Sequence, residues 1–381
     1  MVNILSIFGT RPEATKMAPL MQVLLACPHI HSKVCVTAQH RQMLDQVLEI
    51  FGIVPDFDLN IMVQNQDLAH ITTAALNGLV DVISRAKPDL ILVHGDTTTT
   101  MAASLAAYYT RTKLGHVEAG LRTYNKFAPY PEEANRKIVA ALADLNFAPT
   151  LAAKANLLAE NVSANSIFVT GNTAIDAIDS LVSQNYCFKE ARLNNIDFAA
   201  KRVITMTAHR RENYGQPFEN IFKAVARLAA DFDDVEIVYP VHLAPAVSDI
   251  AHKILGNNNK IHLIAPTDVV DLLNLIHRSY MVMTDSGGIQ EEAPHLDKPV
   301  LVLREVTERP EGLKTGCLEL AGTSESGVYD AATRLLNDTT KYDSMARAKN
   351  PFGDGAASRR IHQAILYHFG LTEMRPAEDF V

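Results

Sequence analysis

Tyr280-Met-Val-Met-Thr-Asp-Ser-Gly-Gly-Ile-Gln-Glu-Glu292 decides the fold class. A short apolar run, Tyr280 to Thr284, reads as a buried strand. Ser286-Gly287-Gly288 breaks it, and a helical pattern follows. Strand, glycine turn and helix in that order are the repeating unit of a parallel α/β sheet. A helix that starts at such a turn leaves backbone N–H groups unpaired, and these hold anions, phosphate above all. Ser286 adds a hydroxyl, and Gly287 and Gly288 allow close approach of the backbone. Glu292, a turn further on, suits sugar hydroxyls. Diphosphate plus ribose is the simplest ligand with both features; a capped helix with a Gly-Gly turn is the plain alternative.

Moving outward, the same unit recurs in two series. Strand-like runs at Asn3–Phe8, Lys33–Thr37, Asp89–Val93, Leu114–Glu118, Asp144–Ala148 and Ser166–Thr170 form the first. Runs at Arg202–Thr207, Val235–Tyr239, Lys260–Ile264, Tyr280–Thr284 and Pro299–Leu303 form the second. Helical patterns separate most of them, as parallel neighbours require. With 381 residues, one core is too few. The expected architecture is α/β: two Rossmann-like, doubly wound domains, residues 1–182 and 183–355, with a polar linker over about 183–201. An amphipathic helix within 356–381 follows the breaker cluster Pro351–Gly355 and is expected to pack back on the first domain.

Composition narrows the function. Apolar residues make up 48% and charged residues 20%, and 35 Lys plus Arg against 43 Asp plus Glu give a net charge of −8. That balance argues against a nucleic-acid partner. The four cysteines, Cys27, Cys35, Cys187 and Cys317, form neither a disulfide framework nor a zinc pattern. No leader pattern and no run of about 20 apolar residues are present, so a cytoplasmic protein without membrane attachment is expected. G-x-G-x-x-G after the first strand, a Walker A loop, His-Glu-x-x-His and G-x-S-x-G are all missing. No cofactor and no metal are expected.

Ligands of open α/β sheets bind beyond the carboxyl ends of the strands, and polar clusters gather there. Arg11 and Lys16 flank the first helix start, where the macrodipole disfavours cations unless an anion binds. Asp96 ends the most apolar strand, as a helix cap or as a catalytic carboxylate. His116 and Glu118 alternate onto one face of a strand that ends at a glycine turn. Glu132 and Arg136, spaced i,i+4, form either a surface pair or a carboxylate held by a cation. His209 stands beside Arg210 and Arg211, His242 follows the next strand, and Arg309 follows the last one.

Taken together, Gly9-Thr-Arg-Pro-Glu13, His94-Gly-Asp96, His116-Val-Glu-Ala-Gly-Leu-Arg122, Thr170-Gly-Asn172, His209-Arg-Arg-Glu212, Asp285-Ser-Gly-Gly-Ile-Gln-Glu-Glu292 and Glu308-Arg-Pro-Glu311 resemble the bacterial non-hydrolysing UDP-N-acetylglucosamine 2-epimerases. They stand in family order over about residues 1–312. The resemblance implies a glycosyltransferase-like (GT-B) pair of domains with the site in the inter-domain cleft. It implies reversible interconversion of UDP-GlcNAc and UDP-ManNAc by elimination of UDP to a 2-acetamidoglucal and re-addition, supplying ManNAc for surface polysaccharide. Asp96, Glu118, Glu132 and His209 match the catalytic positions. Arg11, Lys16, Arg136, His242, Ser286, Gly287, Gly288, Glu292 and Arg309 match substrate-binding positions. Gln39 and Gln42 match a segment that binds a second, activating UDP-GlcNAc in some members, although Asn65 stands where those members carry an arginine. The aromatic residues that many members place beside the uracil are replaced by Asp268-Val-Val-Asp-Leu272. A homodimer is implied as well. The alternatives are a 2-epimerase for a UDP-diacetamido uronic acid, which would require a further cation near Lys16 or Arg122, a GT-B glycosyltransferase, and a non-catalytic nucleotide-sugar sensor.

Overall fold

The computed structural model describes residues 1–376 apart from 40, 64, 65 and 128; Asn65, and with it the test of the arginine replacement, lies outside the described residues. The chain divides into two compact units, residues 1–180 with 352–381, and residues 181–351.

The first unit carries seven strands: β1 (Val2–Phe8), β2 (Ile30–Val36), β3 (Phe57–Asp58), β4 (Leu90–His94), β5 (Lys113–Val117), β6 (Leu145–Ala148) and β7 (Ile167–Val169). Their order is β3-β2-β1-β4-β5-β6-β7, and every pairing is parallel. The two-residue alternation of strands sorts their side chains. Ile4 and Phe8 enter a core with the helices Arg11–Leu25 and Ala357–His368; Leu5 and Ile7 enter another with Leu68–Ala86 and Thr98–Thr110. Both faces are covered, which is why these strands read as continuous apolar runs. Each Leu or Ile so buried contributes about 1.5–3 kcal/mol.

The second unit carries β8 (Arg202–Thr207), β9 (Val235–Pro240), β10 (Ile261–Ile264), β11 (Met281–Thr284), β12 (Val300–Val302) and β13 (Leu318–Leu320). The order is β10-β9-β8-β11-β12-β13, again all parallel. β13, with the helices Glu325–Asn337 and Thr339–Ala346, extends the unit beyond the strands expected from sequence.

Residues 183–201, read from sequence as a polar linker, are packed on the second unit. Tyr186, Phe188, Leu193, Ile196 and Phe198 pack on Val203, Val238, Ile264 and Leu275, with Phe188 edge-on to Tyr186 and stacked on Phe198. Burial of this irregularly spaced set fixes the segment on the second unit.

Each sheet changes its direction of growth once. In the first unit β1 lies between β2 and β4; in the second, β8 lies between β9 and β11. The loops after β1 and β4, and those after β8 and β11, therefore diverge from neighbouring strand ends. Such switch points are where open α/β sheets bind ligands.

Candidate active site

In the first unit the switch-point loops line a cavity of about 330 Å³ with Thr10, Arg11, Gln39, Asp96, Thr97 and Glu132 on its wall. The helix Arg11–Leu25 opens with a capping box: Thr10 is the N-cap, and Glu13 reaches back to it. Arg11 is thus the first helical residue. Glu13 is buried and accepts from Gly9 N (3.0 Å), Thr10 N (2.9 Å), Thr97 Oγ1 (2.7 Å) and Thr100 Oγ1 (3.0 Å), so one carboxylate ties the loop after β1 to the turn after β4. Burial raises its pKa, partly offset by these bonds.

Thr97, and not Asp96, caps the next helix. Asp96 is released from capping and instead receives Arg136, with Nε at 2.9 Å and Nη2 at 2.7 Å from Oδ2, while Asn135 Nδ2 holds the Asp96 carbonyl at 2.8 Å. Burial raises the Asp96 pKa, and the neighbouring Glu118 charge adds to that against the pull of Arg136.

The i,i+4 pairing of Glu132 with Arg136 is not what forms. Arg136 turns to Asp96 and to Glu133 Oε2 at 3.1 Å, because Glu133 is buried and already oriented by Thr123 N and Tyr124 N. Glu132 lines the cavity, with its Oε2 buried and unbonded among the described residues.

Glu118 follows β5 with φ +64°, so the alternation with His116 ends there. His116 Nε2 lies 2.7 Å from the Gly95 carbonyl. Glu118 Oε1 accepts from Lys16 Nζ at 2.5 Å and Asn172 Nδ2 at 3.0 Å, and Oε2 is 3.9 Å from His94 Nε2. Burial opposes its ionisation, but Lys16 and the other donors prevail and hold its pKa at about 2. The same burial pushes His94 down to about 3 and His116 to about 4, so both are neutral. Two carboxylates at adjacent strand ends thus have opposite proton affinities, which is the arrangement acid–base pairs need. Gln39 accepts from Thr99 Oγ1 at 3.1 Å beside this cavity, whereas Gln42 lies on the exposed side of the helix Arg41–Ile50.

In the second unit, a cavity of about 300 Å³ is lined by His209, His242, Ser286, Gly288 and Glu292, with Pro266, Thr267 and Leu272 on a less polar side. Gly287 starts the helix Gly287–Glu292, Ser286 is its N-cap, and Glu292 ends it. A β-carbon added to Gly287 would stand 3.3 Å from Arg309 Cζ, so Arg309 lies against this loop; Glu291 Oε1 holds it at 2.8 Å. The loop after β8 is fixed by Asp285, which is wholly buried and accepts from His209 N and Arg210 N at 2.8 Å and from Asn213 Nδ2 at 3.2 Å. The pKa of His209 is lowered by burial first, with Asp285 opposing and His242 and Arg210 adding to it.

Each expected residue except Gln42 therefore belongs to one of the two clusters. The residues that hold them, namely Glu13, Asn135, Asn172, Asp285 and Asn213, were given no role from sequence, although Glu13, Asn172 and Asp285 stand in the motifs quoted there. Of these only Glu13 has a local signature, the Thr-x-x-Glu capping box. Among the described residues no group of three or more His, Cys, Asp or Glu is arranged to hold a metal, and no helix is long and apolar enough to cross a membrane.

Comparison with known proteins gives the family. The family model described as UDP-N-acetylglucosamine 2-epimerase matches residues 23–366. The UDP-N-acetylglucosamine 2-epimerase of Bacillus subtilis strain 168 is 55% identical over 375 residues, 98% of each chain. A crystal structure of a UDP-N-acetylglucosamine 2-epimerase superposes with a TM-score of 0.92 at 53% identity, covering 99% of this chain and 98% of that one. The enzyme from Neisseria meningitidis, solved bound to UDP-GlcNAc, gives 0.83 at 45% identity, covering 96% and 99%. This chain belongs to the UDP-N-acetylglucosamine 2-epimerase family.

Proposed function

We propose that this protein interconverts UDP-GlcNAc and UDP-ManNAc by eliminating UDP and adding it back. The observation that carries the reading is that Asp96, on the wall of the first-unit cavity, and Glu118, at the neighbouring strand end, are shifted in opposite directions. The proton on sugar carbon 2 is not next to a carbonyl and is poorly acidic. Its removal needs a leaving group at carbon 1 whose developing charge is stabilised, and one proton-accepting and one proton-donating group about carbon 2. Glu118, kept ionised by Lys16, suits the base; Asp96, whose pKa burial raises, suits the acid, and the roles exchange in reverse. Glu132, with an unbonded buried oxygen, is a third proton carrier.

In this reading the second-unit cavity takes the nucleotide. Ser286, Gly287, Gly288 and Arg309 hold the diphosphate, Glu292 the ribose, and His209 and His242 the departing charge. Pro266, Thr267 and Leu272 give uracil an apolar wall in place of aromatic stacking. Arg11, Lys16 and Arg136 of the first unit are assigned to substrate binding in this reading, Lys16 and Arg136 beside the carboxylates they hold, Glu118 and Asp96. The base takes the proton from carbon 2 as the C1–O bond breaks and UDP departs with that bond's electron pair, giving a 2-acetamidoglucal; UDP returns to carbon 1 while the opposite face of carbon 2 is protonated. A uronate substrate fits less well, because Arg122 is committed to Glu160 (2.6 Å) and Lys16 to Glu118. By the same reading the protein is a cytoplasmic homodimer that supplies ManNAc for surface polysaccharide, with Gln39 and Gln42 toward a second, activating UDP-GlcNAc.

Proton NMR with UDP-GlcNAc in deuterated water tests this. UDP-ManNAc carrying deuterium at carbon 2 is the expected product. Free ManNAc with UDP would replace it with a hydrolase, and no exchange at carbon 2 would remove the epimerase reading in favour of a transferase or a uronate enzyme.

A further inference from the structure

His209, after β8, and His242, after β9, stack with ring centroids 5.7 Å apart and planes 16° from parallel. Both line the second-unit cavity. Their hydrogen bonds distinguish them.

His242 Nδ1 accepts the Ala244 N–H at 3.1 Å. A nitrogen that accepts carries no proton, so a neutral His242 has its hydrogen on Nε2, and its imidazolium would break this bond. His209 Nδ1 faces Asp285 Oδ1 at 3.5 Å. The other oxygen of Asp285 already serves three N–H donors, whereas Oδ1 is buried with no hydrogen-bond partner among the described residues. A buried carboxylate oxygen this close favours a proton on Nδ1. The charged or titratable groups around His209 are Asp285 after β11, His242 after β9 and Arg210 on its own loop.

We infer that the pair is divided into fixed roles: Asp285 holds His209 as the Nδ1–H tautomer, so that His209 Nε2 takes up and releases the proton, while the Ala244 N–H selects the Nε2–H tautomer of His242. This rests on reading the cavity as the diphosphate site. Elimination starts from the His209 imidazolium: the leaving phosphate oxygen keeps the electron pair of the C1–O bond and takes the proton from Nε2, which leaves the neutral Nδ1–H tautomer, and re-addition returns both. Asp285 is a positioning residue that acts through His209.

The test uses full-length protein labelled with ¹⁵N-histidine and no ligand. Two-bond ¹H–¹⁵N correlation spectra identify each tautomer, and loss of signals in His209→Gln and His242→Gln assigns them. The expected result is Nδ1–H for His209 and Nε2–H for His242 at neutral pH. In Asp285→Asn the amide oxygen can keep the three N–H donors while its NH₂ faces His209, so His209 flips to Nε2–H. A fall in kcat of at least about 100-fold with UDP Kd changed less than about threefold is then expected, by analogy with other His–Asp pairs. The inference is overturned by a wild-type His209 with its proton on Nε2, by matching tautomers in the two rings, or by an Asp285→Asn enzyme with unchanged kcat. The wild-type spectrum decides whether or not Asp285→Asn folds. Because it is read without substrate, a correct spectrum on a protein that does not epimerise would remove the proposed reaction and leave the tautomers standing.

Discussion

Lys16 Nζ lies 2.5 Å from Glu118 Oε1, although 102 residues separate them in sequence. The ammonium comes from the first helix and the carboxylate from the end of β5, so the fold alone makes the pair. Its consequence is electrostatic: a carboxylate that burial would push up is instead held at about 2. Since the folded pKa lies below the unfolded one, the pair's contribution to stability is present above the ordinary carboxylate range. It is lost as pH falls through about 2. Lys16→Met leaves the burial and removes the main opposing charge. The Glu118 pKa then rises, and the acidic limb of the kcat profile moves to higher pH. An unchanged limb in Lys16→Met would separate Glu118 from the rate-limiting proton transfer.

The three carboxylates should divide chemistry from binding. Asp96→Asn, Glu118→Gln and Glu132→Gln are expected to lower kcat by at least about 100-fold each, the usual range for general acid–base groups. UDP affinity, measured by calorimetry, should change little, because the cluster proposed to hold the nucleotide belongs to the other unit. A variant that loses UDP binding and keeps its kcat would reverse its assignment.

Glu13 predicts a different signature. Glu13→Gln replaces one acceptor oxygen by an NH₂ group, so two or three buried donors around Gly9, Thr10, Thr97 and Thr100 lose their partner. A cost of about 1–3 kcal/mol follows. The pH dependence has a fixed sign. The folded pKa of Glu13 is raised, so its contribution is full below the unfolded value and declines as pH rises through the folded one. Gln does not titrate. Melting curves should therefore show the deficit of the variant narrowing with rising pH; a widening deficit would contradict the burial assignment.

The sequence carried the sheets and the strand-end clusters for a physical reason. Strands covered on both faces are continuous apolar runs, and the polar residues that interrupt them are at the mouths of the sheets. What it did not carry is partnership across distance. Arg136 was paired with Glu132 on helical spacing, but Asp96, 40 residues away, holds it. Asn172 reaches Glu118 across 54 residues and Asp285 reaches the loop of His209 across 76; neither contact has a local pattern. Residues 183–201 read as a linker because Tyr186, Phe188, Leu193, Ile196 and Phe198 follow neither the helical nor the strand period, and only the surface they cover explains them.

Gly287→Ala tests the placement of Arg309. The added carbon would meet Arg309 Cζ at 3.3 Å and its two terminal nitrogens at 3.4 Å, all at the far end of a flexible side chain. The protein should fold normally while the guanidinium shifts off the loop. A rise in UDP Kd of about tenfold, or 1.4 kcal/mol, is expected, with the melting temperature within error of wild type. An unaltered Kd would detach Arg309 from the diphosphate.

Gly120→Ala, in contrast, should fail at the level of folding. Gly120 has φ +89°, and a β-carbon there would lie 2.3 Å from the Ala153 carbonyl oxygen and 2.8 Å from its carbon. Backbone cannot yield as a side chain does, and Ala153 is held in the first turn of the helix Leu151–Ala159 by Thr150. Strain at positive φ costs about 1–2 kcal/mol and overpacking about 1–3 kcal/mol more. Gly52 supplies the control: φ is +63° but nothing lies within 4 Å of its added carbon, so Gly52→Ala should lose only the first of these terms. Thermal melting of the two variants should place Gly120→Ala well below Gly52→Ala. Equal losses would mean that the close approach of the loop after β5 to the helix Leu151–Ala159 is not what demands glycine at 120.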